Sequence, residues 1–263
     1  MKMHKRALIW ILSACLVLSG SACGKKPDDT TSLTETQATV TTSSATSTTT
    51  AGSTATQSET KELPLTIDEI CFGSLYGEPI EWLVVDQNEN GYLLLSKYLL
   101  AARPYNEKYD GVTWETCSLR KWLNEDFFTR IFNEEERKQV ITTKLQVADN
   151  ADYGTPGGNA TEDALFLLSL DEVARYLPTP DDRKCTPTQK ALDDKIWVSE
   201  TGTCYWWLIT PGFDEYNACM IDTSGFIGRM GYRVHNRNMG IRPAFWLKAD
   251  SVDKSAWLTP FED

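Results

Sequence analysis

Histidine is almost missing from this chain: 263 residues hold only His4 and His235. Chemistry that turns on an imidazole, such as a Cys-His nucleophile, is thereby confined to one position outside the N-terminal segment. His235 stands alone between Arg233, Asn236 and Arg237, and its simplest reading is a loop residue. No C-x-x-C and no Cys/His spacing of the zinc kind occurs, so no metal site is expected. An apolar run of the length an ordinary membrane span needs, about 20 residues, is also absent. Positive charge is scarce: positions 61 to 263 carry 21 basic against 33 acidic side chains, a net charge of −12. That balance argues against nucleic acid and against electrostatic adhesion to anionic lipid.

The poorest stretch is Thr30 to Thr60, where 14 of 31 residues are Thr and 6 are Ser, with no aromatic residue, Lys or Arg. It cannot bury enough apolar surface to offset the entropy of ordering it, so residues 23–62 read as a disordered tether. Ahead of it, Lys2, Lys5 and Arg6 precede the apolar run Ala7 to Leu18, and small residues Ser19 to Ala22 lead into Cys23. This is the layout of a bacterial lipoprotein signal over residues 1–22, with Cys23 as the lipidated residue. Gly20 stands where such signals carry Leu; Leu12-Ser13-Ala14-Cys15 fits that pattern better but leaves a very short apolar core. A plain secretory signal is the alternative. The expectation is export, with the lipid holding the protein on the outer face of the cytoplasmic membrane.

Residues 63–250 then form one globular domain, with 251–263 as a C-terminal tail. Its five cysteines, Cys71, Cys117, Cys185, Cys204 and Cys219, are an odd number for an exported protein. Cys204 and Cys219 flank the Pro211-Gly212 turn and are a candidate disulfide across a hairpin, although sequence does not fix the pairing. The runs Ile80–Val85 and Tyr92–Ser96, joined through Asn90-Gly91, predict a hairpin. Between Cys117 and Val140 the apolar period becomes helical, with Asn133 and Glu136 placed to start a helix at Glu134. Asp149 to Thr161 reads as an exposed loop, Leu165 to Leu168 as a short buried strand, and Ser169 to Glu172 as a capping box. Pro178 to Pro187 reads as irregular. Tyr205–Ile209, Ala218–Asp222, Phe226–Arg229 and Ile241–Leu247 read as strands. Antiparallel strands at both ends of the domain with short helices between make an α+β class.

Trp114-Glu115, Ser118-Leu119-Arg120 with Trp122-Leu123-Asn124, Phe166 to Ser169, Trp206-Trp207-Leu208 with Pro211-Gly212, and Gly240-Ile241-Arg242-Pro243-Ala244 come in order along the domain. This series resembles an uncharacterised domain family of exported and lipid-anchored Firmicutes proteins. Ile209 departs from it, standing where members usually carry Arg. The paired tryptophans followed by a late Gly-x-Arg strand also look like C-type-lectin-like folds, including those related to formylglycine-generating enzymes. That likeness concerns the fold and does not fix a function.

No catalytic residue and no cofactor is assigned. Glu115, Glu125 and Asp126 are carboxylates of the kind a glycosidase pair needs, but solvated surface charge explains them more simply. Asp214, Glu215, Asn217 and Asp222 could supply oxygens to calcium, yet lack an EF-hand pattern. Arg242 lies beside an apolar run, where a charge is expensive unless paired. It reads as one half of a buried ion pair, with Glu115 or Asp126 as partner, or else lines a cleft with Arg120 and holds an acidic or hydroxylated ligand. Trp206, Trp207 and Trp114 complete the expected ligand-binding set. The two adjacent tryptophans cannot share one flat platform, because successive side chains of a strand point to opposite faces. The functional expectation is a non-catalytic recognition module for a glycan, a cell-wall polymer or a protein. The alternatives are an extracellular enzyme acting on polysaccharide or cell wall and a structural part of an envelope complex.

Overall fold

Three meandering strands start the first sheet. In the computed structural model, which describes residues 68–251 and 257–258, β1 (Glu69–Leu75), β2 (Glu78–Asn88) and β3 (Gly91–Ser96) pair antiparallel in sequence order. The signal and the tether lie outside the described residues. The expected turn between β2 and β3 is present, but its cause differs from the Asn-Gly signal. Asn88 Oδ1 accepts from the Asn90 and Gly91 amides (2.8 and 3.1 Å), which folds the chain as an Asx-turn. Gly91 is required for room: a β-carbon there would stand 2.0 Å from the Leu247 carbonyl oxygen.

The chain continues through β4 (Ala101–Ala102), α1 (Ser118–Trp122), a π-helical turn at Leu123–Phe127, α2 (Phe128–Ile131) and α3 (Glu134–Gln139). Next come β5 (Val140–Ile141), β6 (Thr143–Leu145), β7 (Thr161–Asp163), α4 (Leu170–Tyr176), α5 (Pro180–Arg183) and α6 (Gln189–Asp193). The last part is β8 (Trp206–Pro211), β9 (Asn217–Ile221), β10 (Ile227–Arg233), β11 (Gly240–Ile241), β12 (Ala244–Lys248) and β13 (Trp257–Leu258). One sheet runs β13-β1-β2-β3-β12-β5, the second β10-β9-β8-β11-β4, and β6 pairs with β7. The fold is α+β, and its strands pair antiparallel apart from β8 with β11.

Local chemistry explains the helices. Asn133 and Ser169 each take the amide three residues on while Glu136 and Glu172 reach back, so both capping boxes form. A third, Thr179 with Asp182, starts α5 inside the segment expected to be irregular.

Several other expectations change. Ile241–Leu247 is not one strand: Gly240–Ile241 joins the second sheet and Ala244–Lys248 the first, with Pro243, which has no amide to give a ladder, in the crossing. Leu165 to Leu168 is buried, yet only Phe166 pairs, with Ala244. The loop after Asp149 is pinned from within by buried Asn150, whose Nδ2 donates to the Pro211 and Arg229 carbonyls (2.8 and 3.0 Å). Trp257–Leu258 borders β1, so part of the segment read as a tail belongs to the sheet.

The core is aromatic. Trp82 meets Phe245 edge to face at 4.8 Å, and Phe132 packs on Phe245 at 5.2 Å beneath them.

Candidate functional site

The tryptophans expected to meet a ligand are all core residues. Trp206 and Trp207 are 0% exposed and Trp114 is 1% exposed. As strand alternation requires, the neighbours on β8 reach different partners: Trp206 Nε1 donates to the Arg183 carbonyl and Trp207 Nε1 to the Arg103 carbonyl, each at 3.0 Å. With their only polar atoms satisfied, both rings are floor, and neither offers a face to solvent.

Arg242 is 2% exposed and closed to ligand as well. Its Nε donates to the Ser96 carbonyl (3.0 Å) and its guanidinium lies 5.1 Å from the Trp206 ring. No carboxylate reaches it among the described residues, so neither the expected ion pair with Glu115 or Asp126 nor the expected cleft is formed. The ring face and one carbonyl offset part of the cost of burying it.

Arg120 is the ion-paired arginine. Its Nε donates to Asp163 Oδ1 at 2.7 Å, while Trp114 Nε1 (2.9 Å) and Thr161 Oγ1 (2.6 Å) donate to Asp163 Oδ2. Asp163 was missed in the sequence because its burial comes from the β6–β7 pair, which leaves no periodic signal. Arg120 and Trp114 therefore meet at one buried carboxylate, which commits the Arg120 Nε and the Trp114 indole to the fold.

Four of the five cysteines are buried in the core. All five are free thiols, so the expected Cys204–Cys219 disulfide is absent. Cys219 Sγ lies 3.1 Å from the Pro211 carbonyl, and the Cys204 amide donates to the Cys185 carbonyl (3.0 Å) in another part of the core. Burial pushes Cys204 up to about 11 and Cys117 and Cys219 up to about 12, which suppresses the thiolate. Cys117 caps α1 by accepting the Arg120 amide. The carboxylates considered for calcium close two separate turns: Asp214 accepts from Tyr216 and Asn217, and Asp222 from Ser224 and Phe226.

One step from the buried pair the surface opens. Tyr205 precedes β8 and, with Trp197 and Tyr232, lines a concavity of about 600 Å³ over Met220 and Met239. Trp197 is 49% and Tyr232 47% exposed, and Phe226 beside them is 65% exposed. Asp222, Asn236 and Asn238 supply the polar rim.

The geometry follows from the chain. Lys195, at φ 69, turns the backbone out of α6, and the Trp197 amide then donates to the Asn238 carbonyl (3.2 Å), so the indole stands 5.5 Å from the Tyr205 ring. Gly240 lets β11 approach: a β-carbon would meet Leu99 at 2.5 Å and the Tyr205 carbonyl at 2.9 Å. On β10 the register slips between Gly228 and Tyr232, with Gly231 at φ 78, a bulge that re-aims the side chains following it. The Asn238 backbone amide donates to Asn236 Oδ1 (2.8 Å) and Asn238 Nδ2 to the Lys195 carbonyl (2.9 Å), which holds both rim side chains in place. Exposed rings stack on flat apolar faces, and amides with a carboxylate exchange hydrogen bonds with hydroxyls. In the sequence Trp197 sits in the apolar triplet Ile196-Trp197-Val198, which does not distinguish a surface aromatic from a core one.

The family described as a domain of unknown function (DUF6273) matches residues 89–249. No curated protein and no solved structure matches the chain.

Proposed function

The chain belongs to the DUF6273 family, and we propose that this member is a non-catalytic recognition module that binds glycan through the Trp197, Tyr205 and Tyr232 face. The observation that carries this reading is the convergence of three accessible aromatic rings with Asp222, Asn236 and Asn238 on one concave surface. A pyranose ring presents both an apolar face and hydroxyl groups, and this surface offers a partner to each. The signal-like residues 1–22 and the Thr/Ser-rich tether support display at the outer face of the cytoplasmic membrane through a lipid on Cys23.

A protein ligand is the second reading, favoured by Phe226 and Met230, whose exposed side chains (65% and 59%) extend the apolar surface along the edge strand β10. The test is a glycan and cell-wall polysaccharide array probed with the wild type and with Trp197→Ala. Binding of at least one glycan, lost about tenfold or more in the variant at unchanged melting temperature, supports the proposal. Silence across the array, or binding indifferent to Trp197→Ala, overturns it.

A further inference from the structure

A second cavity, of about 570 Å³, lies between the β1–β2 turn and α6, and no residue lines both it and the aromatic face. Leu75, Ile80 and Leu100 give it an apolar floor, and Tyr76 and Tyr98 stand on its walls.

The turn that carries Tyr76 is strained. Tyr76 and Gly77 have φ of 56 and 87, the two positive values of a two-residue hairpin turn, and the first of these positions suits Asn or Gly. Tyr76 is nonetheless 66% exposed, so burial in the core does not repay the strained backbone. Strain held at an accessible ring on the rim of a pocket is the pattern of a binding position.

The charges of the rim select the ligand. Lys190 is committed to Asp194, and Lys97 to both Glu69 (2.7 Å) and Glu81 (2.8 Å). Glu78 and Asp193, on opposite walls, have no cationic partner among the described residues, and the charged side chains that line the cavity are the carboxylates of Glu78, Glu81 and Asp193 against the one ammonium of Lys190, a net charge of −2. The rings already serve ammonium groups: Lys190 Nζ lies 6.0 Å from the Tyr76 centroid and Lys97 Nζ 5.6 Å from that of Tyr98. An apolar floor, aromatic walls and unpaired carboxylates together fit a cation on an aliphatic stem.

We propose that this pocket binds a primary alkylammonium group, the chemistry of a lysine side chain or of a free diamine. The ammonium sits between Glu78 and Asp193 against the tyrosines, and the methylenes lie on Leu75, Ile80 and Leu100.

The test is a calorimetric titration of the full chain with 1,5-diaminopentane, with a blocked Gly-Lys-Gly peptide, and with the neutral isostere pentane-1,5-diol. Saturable binding of an amine probe, about tenfold or more above the diol and weakened by salt, is expected. A tighter peptide assigns the amine to a polypeptide, and a tighter diamine to a small molecule; either supports the proposal. Tyr76→Asn accepts the left-handed turn, so it melts no lower than the wild type, and it loses about tenfold in affinity, as does Glu78→Gln. No saturable signal with either amine, equal binding of the diol, or full affinity in Tyr76→Asn overturns the proposal. Trp197→Ala leaves amine binding intact, so this site and the glycan face fail independently.

Discussion

Trp206 and Trp197 are nine positions apart in sequence and opposite in circumstance. The first is wholly enclosed and hydrogen-bonded to the Arg183 carbonyl; the second is half in water, with its ring against Tyr205. Residue type is the same, so the difference lies in what surrounds it. β8 is an inner strand, between β9 and β11, and all six of its residues are buried, so both of its faces are packed over. Trp197 follows a left-handed residue that carries the chain out of α6 to the surface. A tryptophan-rich motif therefore marks the floor of this domain, and the accessible aromatics stand at its border.

Substitution separates the two regions most strongly at the core. Trp206→Ala removes a fully buried indole and orphans a buried carbonyl, for an expected loss of about 3–5 kcal/mol in urea denaturation. Trp197→Ala is expected to cost under about 1 kcal/mol in the same measurement. Equal losses would break the comparison.

The arginines offer a second contrast. Asp163→Asn weakens the anion shared by Arg120, Trp114 and Thr161 and is expected to cost about 2–3 kcal/mol. That is below the figure for a fully buried pair, because the Arg120 side chain remains 26% exposed. Arg242→Met, which removes a buried cation without a carboxylate, is expected to change stability by less than about 1 kcal/mol. A larger loss at Arg242 than at Asp163 would show that the contacts with Trp206 and Ser96 outweigh a true ion pair.

A pH-dependent effect sits on α5, whose Arg183 carbonyl accepts from Trp206. The Thr179 hydroxyl and amide hold the Asp182 carboxyl below its usual range. A lowered folded value means that this stabilisation is complete above about pH 4 and is lost as pH falls through the folded value. Thr179→Ala should cost about 1 kcal/mol at neutral pH. Its gap to the wild type should narrow on acidification in melts run from pH 7 to pH 3. A gap that stays constant would place the effect in the backbone alone.

Alkylation mapped by mass spectrometry tests the same division without mutation. Cys71 is the one exposed cysteine among the described residues and should react first. Cys117, Cys185, Cys204 and Cys219 should stay protected until unfolding.

Much of the scaffold was legible because its causes are local. The capping boxes at Asn133 and Ser169, the hairpin at Asn88 and the α+β class each follow from residues close in sequence. The site was not legible. Exposure depends on what packs over a residue, and the residues that bury Trp206 and leave Trp197 free come from distant parts of the chain. The same reason hid Asp163 and Asn150, polar side chains fixed by partners more than 40 residues away.

By itself the sequence determined the acidic character, the near absence of histidine, the α+β class with strands at both ends and helices between, and the rule that Trp206 and Trp207 point apart. Only the tertiary structure decided that both are enclosed, that Arg242 crosses between two sheets without a counter-ion, and that Tyr205 is the aromatic of its run that reaches the surface. The first set depends on composition and on backbone periodicity, which act over a few residues. The second depends on burial, which exists only once strands from both ends of the domain have come together.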